Sequence, residues 1–235
     1  MKYLHSFRHM LLLFLSVLML SSACRRSPTE KSNQIEKVER GILPAVSEQG
    51  KPIPKLSMQG QMGKWNVPGL SVAVINDGKI TWTKSYGVKE AGSKDSVVNN
   101  SLFQAASISK PVTAAAALRL VENDKLSLDQ PVNSLLQSWK VPDNKFTADS
   151  SVTSRMLLSH TAGTTVSGFP GYASADTIPP LTAIHDGESP ANTPSIRVDT
   201  IPGSAMNYSG GGYTIAQQLM MDVTDEKFST LLVWC

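Results

Sequence analysis

The stretch VPGLSVAVINDGKITWTKSYGV, residues 67–88, constrains the fold more than any other part of the chain. Residues 70–75 suit a pleated backbone, Asp77-Gly78 is a two-residue hairpin turn, and Ile80, Trp82, Lys84 and Tyr86 alternate onto one face of a returning strand. The first strand carries almost no polar residue besides Ser71, which predicts a strand covered on both faces. Two strands alone are marginal in water, so the hairpin is expected to belong to a larger antiparallel sheet.

From residue 101 the pattern turns helical. Residues 112–121 are nearly all Ala, Leu and Val and predict a buried helix. Residues 132–139 form a second, short helix candidate. TSRMLLSHTAG, residues 153–163, reads as a brief helix closed by Gly163 as its C-terminal cap. Residues 164–202 are rich in Pro, Ser, Thr and Gly, and so long a connection inside a domain usually lines a site or moves. Two helical pieces follow, GGGYTIAQQLMMDV from residue 210 and TDEKFSTLLVWC from residue 224. Hydrophobic content of 41% and charged content of 17% over 235 residues fit a globular chain. The net charge of +3 is carried by scattered Lys and Arg with no basic stripe, so no nucleic-acid partner is expected.

The N-terminus reads as a targeting segment. Lys2 and Arg8 form a basic region, and MLLLFLSVLML, residues 10–20, is apolar but short for a membrane span. Residues 21–24, SSAC, resemble a bacterial lipobox with Leu20 one place upstream of the usual pattern, which makes Cys24 the expected lipidation site; plain secretion is the alternative. Residues 1–24 are therefore expected to be a signal peptide, 25–60 a polar linker with room for a short helix at 33–46, and 61–235 the functional domain. The product is expected in the periplasm or on the outer membrane of a bacterium, or secreted. The other cysteine, Cys235, leaves no disulfide framework, and His160 and His185 stand alone, so neither a metal nor another cofactor is expected.

The chemistry-bearing candidates lie in FQAASISKPVTAAAALRLVE, residues 103–122. Ser107 and Lys110 are three apart, which places their side chains on one face of a helical turn. A serine hydroxyl becomes nucleophilic when a base takes its proton, and an amine serves only in its neutral form. The positive end of the helix and the apolar residues around Lys110 both favour that form. The unpaired N–H groups of the first turn also suit a developing oxyanion. Pro111 disfavours α conformation at Lys110 and is expected to tighten or distort this turn. Lys110 is the only lysine with a Ser three places before it. The plain alternative is a Ser cap beside an exposed Lys. Tyr208, in PGSAMNYSGGGY, stands in a small-residue loop before a helix, where a phenol near a lysine relays protons or simply packs.

Together, Ser107-Ile108-Ser109-Lys110 opening an apolar helix, LLSHTAG some fifty residues on, and PGSAMNYSGGGY later resemble the serine β-lactamase and penicillin-binding protein superfamily. The nearest branch is that of class C β-lactamases with their related esterases and DD-peptidases. The resemblance implies an α/β fold in which an antiparallel sheet is flanked by helices, with a helical subdomain. It implies Ser107 as the acylated nucleophile, with its N–H as half of the oxyanion hole. Lys110 would be the proton acceptor and Tyr208 the partner base or acid. The substrate would be a small-molecule or peptide acyl compound: an ester, a D-amino-acid peptide or a β-lactam. In such proteins LLSHTAG is a structural turn, so His160 is not expected to be catalytic.

Two departures stand out. Gly210 occupies the substrate-binding position where the family's Tyr-x-Asn element has Asn, so a substrate-contacting amide is absent. No Lys- or His-Thr-Gly triad follows Tyr208, which leads to the expectation of a chain lacking the C-terminal strands of the family. Two functional readings result: a serine hydrolase working through an acyl-enzyme on Ser107, or a catalytically silent remnant that at most binds cell-wall ligands. A nucleophile-elbow hydrolase is disfavoured because Gly-x-Ser-x-Gly is absent.

Overall fold

A computed structural model describes residues 28–233. The expected targeting segment with Cys24, and Cys235, lie outside the described residues. The chain divides into two compact units, with the boundary between Phe103 and Gln104.

The first unit opens with α1 (Pro28–Glu39) and α2 (Met58–Lys64) and continues into β1 (Gly69–Asn76) and β2 (Lys79–Gly87). Helix α1 begins and ends earlier than the expected 33–46. Its last residue, Glu39, accepts hydrogen bonds from Lys84 Nζ at 2.5 Å and Tyr86 Oη at 2.9 Å, which fasten it to β2. Burial, then the hydrogen bond to Glu39, pushes the Tyr86 phenol up to about 12. Ser57 caps α2 by accepting the Gly60 N–H.

The strands pair antiparallel through the Asp77-Gly78 turn, as a two-stranded sheet among the described residues. Two expectations are corrected here. β1 alternates rather than being covered on both faces: Leu70, Val72 and Val74 are half-buried while Ser71, Ala73 and Ile75 are exposed. Ile80 does not share a face with Trp82. Val74 pairs Trp82 while the adjacent Ile75 pairs Ile80, so a bulge at Thr81 turns Ile80 outward. Trp82 is buried at 3% exposure and Ile80 is exposed at 66%.

The second unit is helical: α3 (Ser109–Glu122), α4 (Ser154–Leu158), α5 (Leu181–Asp186), α6 (Gly210–Thr224) and α7 (Phe228–Val233). α6 is the central helix, packed by α3, α4, α5 and α7. Ile215, Ala216, Leu219 and Met220 from α6 meet Ala116, Ala117 and Leu120 from α3 and Leu157 from α4 in one core. These positions recur at helical spacing, and their burial supplies most of what holds short helices in place. The expectation of a fully buried α3 needs correction. Its sequence is apolar all round, but only the Thr113, Ala116, Ala117 and Leu120 face is buried, leaving Val112 and Leu118 exposed.

Residues 132–139 form one 3₁₀ turn, Val132–Ser134, instead of a helix. The reason is a competing acceptor: Asp222 of α6 takes the Gln137 and Ser138 N–H groups at 2.6 and 3.0 Å and the Ser138 hydroxyl at 2.5 Å. Gln218 adds a fourth hydrogen bond at 2.8 Å. Burial pushes the Asp222 carboxyl up, but these donors outweigh it and leave the group below its usual range. A carboxyl depressed on folding contributes stability above its unfolded pKa, and that contribution is lost as pH falls through the folded value. Asp222→Ala is expected to cost about 1–2 kcal/mol at pH 7, because its donors lose their acceptor. The loss should shrink toward acid pH; an equal loss at pH 7 and at pH 3, measured by urea titration, counts against this account.

The end of α4 also departs from expectation. The helix is closed by His160, not Gly163. His160 takes the left-handed conformation (φ 62°), its N–H reaches Leu157 O at 3.4 Å, and the Thr161 N–H reaches Met156 O at 2.9 Å. That pair of bonds is a Schellman closure with His160 in the position where glycine is usual. Gly163 is left-handed as well (φ 66°), for a different reason: a Cβ there would lie 2.1 Å from the Thr200 carbonyl oxygen. Residues 160–167 and 195–209 run side by side, joined by Asp199 N–H to Gly163 O, Thr165 N–H to Arg197 O, and Gly203 N–H to Thr161 O. The long connection from 164 to 202 is thereby tied at both ends, with α5 in its middle.

Candidate active site

Ser107 lies in a 3₁₀ turn, Ala106–Ile108, immediately before α3. Pro111 is the third residue of α3, where its missing N–H costs no helical bond. The turn is tightened ahead of it, and three residues per turn make positions i and i+3 eclipse. Lys110 Nζ accordingly donates to Ser107 Oγ at 3.1 Å. Ala106, just before the serine, has φ 45°, a left-handed conformation that costs an L-residue about 1–2 kcal/mol.

Tyr208 arrives from the far end of the unit. Its hydroxyl is 2.7 Å from Ser107 Oγ. Ser107 and Lys110 thus share one hydrogen-bonded cluster with a residue 101 positions further along the chain from Ser107. Lys110 Nζ also stands 4.8 Å from the Tyr208 ring centroid and 5.6 Å from that of Tyr213. The poor solvation expected around the amine is not what this structure has: Ala105, Ala106, Ser107 and Pro111 are exposed, and the neighbours of Lys110 are aromatic rings. The hydrogen bond from Lys110, then that from Ser107, holds the Tyr208 phenol below its usual range.

The loop carrying Tyr208 is fixed by its neighbour. Ser209 caps α6, its hydroxyl accepting the Gly212 N–H at 2.9 Å and donating to Thr165 O at 2.8 Å. The glycines after it serve close packing. A Cβ on Gly211 would lie 2.7 Å from Thr165 O, and one on Gly212 would lie 2.9 Å from the Thr164 hydroxyl. Gly210 corrects the expectation of a substrate-binding position. It is buried, its N–H is committed to Ser167 O at 3.1 Å, and a Cβ would lie 3.1 Å from Phe169 and Ser167, so it presents nothing to a ligand.

Two residues that the sequence reading left out of the site belong to it. His160 accepts the Ser209 N–H on Nδ1 at 3.1 Å, accepts the Asn207 N–H on its carbonyl at 2.8 Å, and lies 4.3 Å from the Tyr208 ring, centroid to centroid. Tyr213, on the first turn of α6, faces His160 at 5.2 Å and donates its hydroxyl to Leu158 O at 2.9 Å. The spacing of Tyr208 and Tyr213 across a capped helix start was the available signal; nothing in the sequence tied either to residue 160.

This arrangement sits in a known fold. The structure resembles that of the beta-lactamase/D-alanine carboxypeptidase from Yersinia pestis, with a TM-score of 0.58 at 21% identity over 73% of this chain and 47% of that one. The profile of the Beta-lactamase family matches residues 57–233, and the chain belongs to that family. Unguisins hydrolase ungD of Aspergillus violaceofuscus is 29% identical over 178 residues, 71% of this chain and 29% of that protein. The mitochondrial serine beta-lactamase-like protein LACTB of Mus musculus is 34% identical over 97 residues, 41% of this chain and 17% of that protein. The chain thus spans less than a third of the length of these two relatives.

Proposed function

We propose that the protein is a serine hydrolase that transfers an acyl group through a covalent ester on Ser107. The observation that carries this is the cluster in which Ser107 Oγ meets Lys110 Nζ at 3.1 Å and Tyr208 Oη at 2.7 Å. Ser107 accepts from the amine and donates toward the phenol. As the Oγ–carbonyl bond forms, the serine proton passes to a Tyr208 phenolate that Lys110 stabilises. The phenol then gives that proton to the departing oxygen or nitrogen as the acyl bond breaks. Water, deprotonated by the same phenolate, releases the acid and returns the proton to Oγ. The Ser107 N–H, at the head of a helical segment, supplies one donor to the oxyanion. Lys110 therefore acts more by holding and polarising its two neighbours than as the first proton acceptor.

The substrate class is an ester, a D-amino-acid peptide or a β-lactam. Family membership supports this, as does the likeness to proteins named as a hydrolase of unguisins and a beta-lactamase/D-alanine carboxypeptidase. The basic and apolar residues at the start of the chain support export, with Cys24 as the lipidated residue holding the protein at a membrane.

The test is covalent labelling of the 235-residue chain with a fluorescent acylating β-lactam and a fluorophosphonate, followed by peptide mass mapping. The label is expected on Ser107 and absent in Ser107→Ala. A folded protein that takes no label at any pH returns the reading to a catalytically silent family member.

A further inference from the structure

His160 occupies a backbone position that penalises it. The left-handed C′ residue of a Schellman closure is glycine by default, sometimes asparagine, and an imidazole there is strained. What the side chain does in exchange is local and specific: it accepts the N–H of Ser209 and stacks on the ring of Tyr208, while its own carbonyl accepts the N–H of Asn207. Both residues flanking Tyr208 are thus held by one histidine.

We infer that His160 is a positioning residue, a proton-sensitive latch whose neutral ring holds Tyr208 against Ser107 and whose protonation releases it. The inference rests on the proposed role of Tyr208. Accepting a backbone N–H on Nδ1 fixes the neutral tautomer with its hydrogen on Nε2. Protonation places a hydrogen on Nδ1, pointing at the Ser209 N–H, and the bond turns repulsive. The groups facing the ring add to this: Lys110 from α3 is a cation, and the phenols of Tyr208 and Tyr213 offer no negative charge while neutral. Burial first, then Lys110, pushes the imidazole below its ordinary value. The latch is accordingly closed at neutral pH and opens as pH falls below the ordinary histidine range.

His160→Asn and His160→Gly separate the latch from the fold, since both residues suit the left-handed backbone. Asn keeps an acceptor at the δ position and does not titrate; Gly keeps neither acceptor nor ring. In the wild type, the NMR signals of the Ser209 amide and a ¹³C-labelled Tyr208 ring are expected to shift together with His160, with one midpoint below pH 6.5. In His160→Asn they should stay fixed over that range. In His160→Gly the Tyr208 signal should sit near its acid-limit position throughout the pH range of the His160 titration. Through the His160 titration, wild-type labelling of Ser107 should fall faster than protonation of the Tyr208 phenolate alone accounts for. That extra fall should be missing in His160→Asn, and labelling should drop by roughly a hundredfold at neutral pH in His160→Gly, the scale of a misplaced catalytic group. Tyr208 and Ser209 signals that ignore the His160 titration, or an Asn variant that titrates as the wild type does, overturn the inference. The NMR result decides it even where no label is taken up, in which case the acyl-transfer reading fails separately.

Discussion

Tyr208→Phe is expected to slow acylation of Ser107 by roughly 10²–10⁴-fold, the usual worth of a positioned general base or acid. The substitution removes one oxygen and little else. The ring can still face His160 at 4.3 Å and the Lys110 amine at 4.8 Å, so the loop has no reason to move. What disappears is the atom 2.7 Å from the Ser107 hydroxyl. The effect should fall on the acylation rate rather than on the affinity of a reversible ligand. The pH profile gives a second reading. Lys110 and Ser107 hold the phenol below its usual range, so the reactive phenolate grows in as pH rises toward that lowered value. Acylation by the wild type should therefore climb with pH and level off before the ordinary tyrosine range, and the climb should be missing in Tyr208→Phe. A variant labelled within tenfold of the wild-type rate, with the same rise, removes Tyr208 from the mechanism.

Gly163→Ala carries the second large effect, on folding. The residue is left-handed, which costs an L-residue about 1–2 kcal/mol by itself. The added methyl would also stand 2.1 Å from the Thr200 oxygen and 3.3 Å from its Cβ, so the paired segments must separate. Overpacking of this kind costs a further ~1–3 kcal/mol. A combined loss of about 2–5 kcal/mol is a large share of what a domain has, and should lower the thermal midpoint by roughly 10 °C. The same segment carries His160 and meets residues 195–209, so nucleophile labelling should weaken before global unfolding. A midpoint within 2 °C of the wild type, the low end of the shift that ~1 kcal/mol produces, would show that the backbone gives way cheaply here.

These two expectations differ in how far the sequence prepared them. Ser107 and Lys110 were legible because they are three apart and a tight turn imposes their meeting. Tyr208 stood out as a phenol in a small-residue loop, its role came from resemblance to a family, and its distance to the serine came only from the fold. Gly163 was noticed and given the wrong task. Helix-ending glycines are common enough that the cap was the natural assignment, yet the cap fell to His160 and the glycine answered to Thr200. The bulge at Thr81 and the capture of residues 137–138 by Asp222 were invisible for a similar reason. Each depends on a partner whose arrival no local pattern announces.

The sequence by itself determined the elements whose causes are near at hand. The β1–β2 ribbon follows from Asp77-Gly78 between β-prone runs, and α3 from its Ala- and Leu-rich helix formers. Tertiary structure decided which faces are covered, where α4 stops, and that a histidine 49 positions upstream of Ser209 holds the loop that bears Tyr208. The division has one physical origin. Propensity and periodicity are set by neighbours within a turn or two, whereas the acceptor of a particular N–H, or the carbonyl that forbids a particular Cβ, is supplied by whatever the packed core brings alongside.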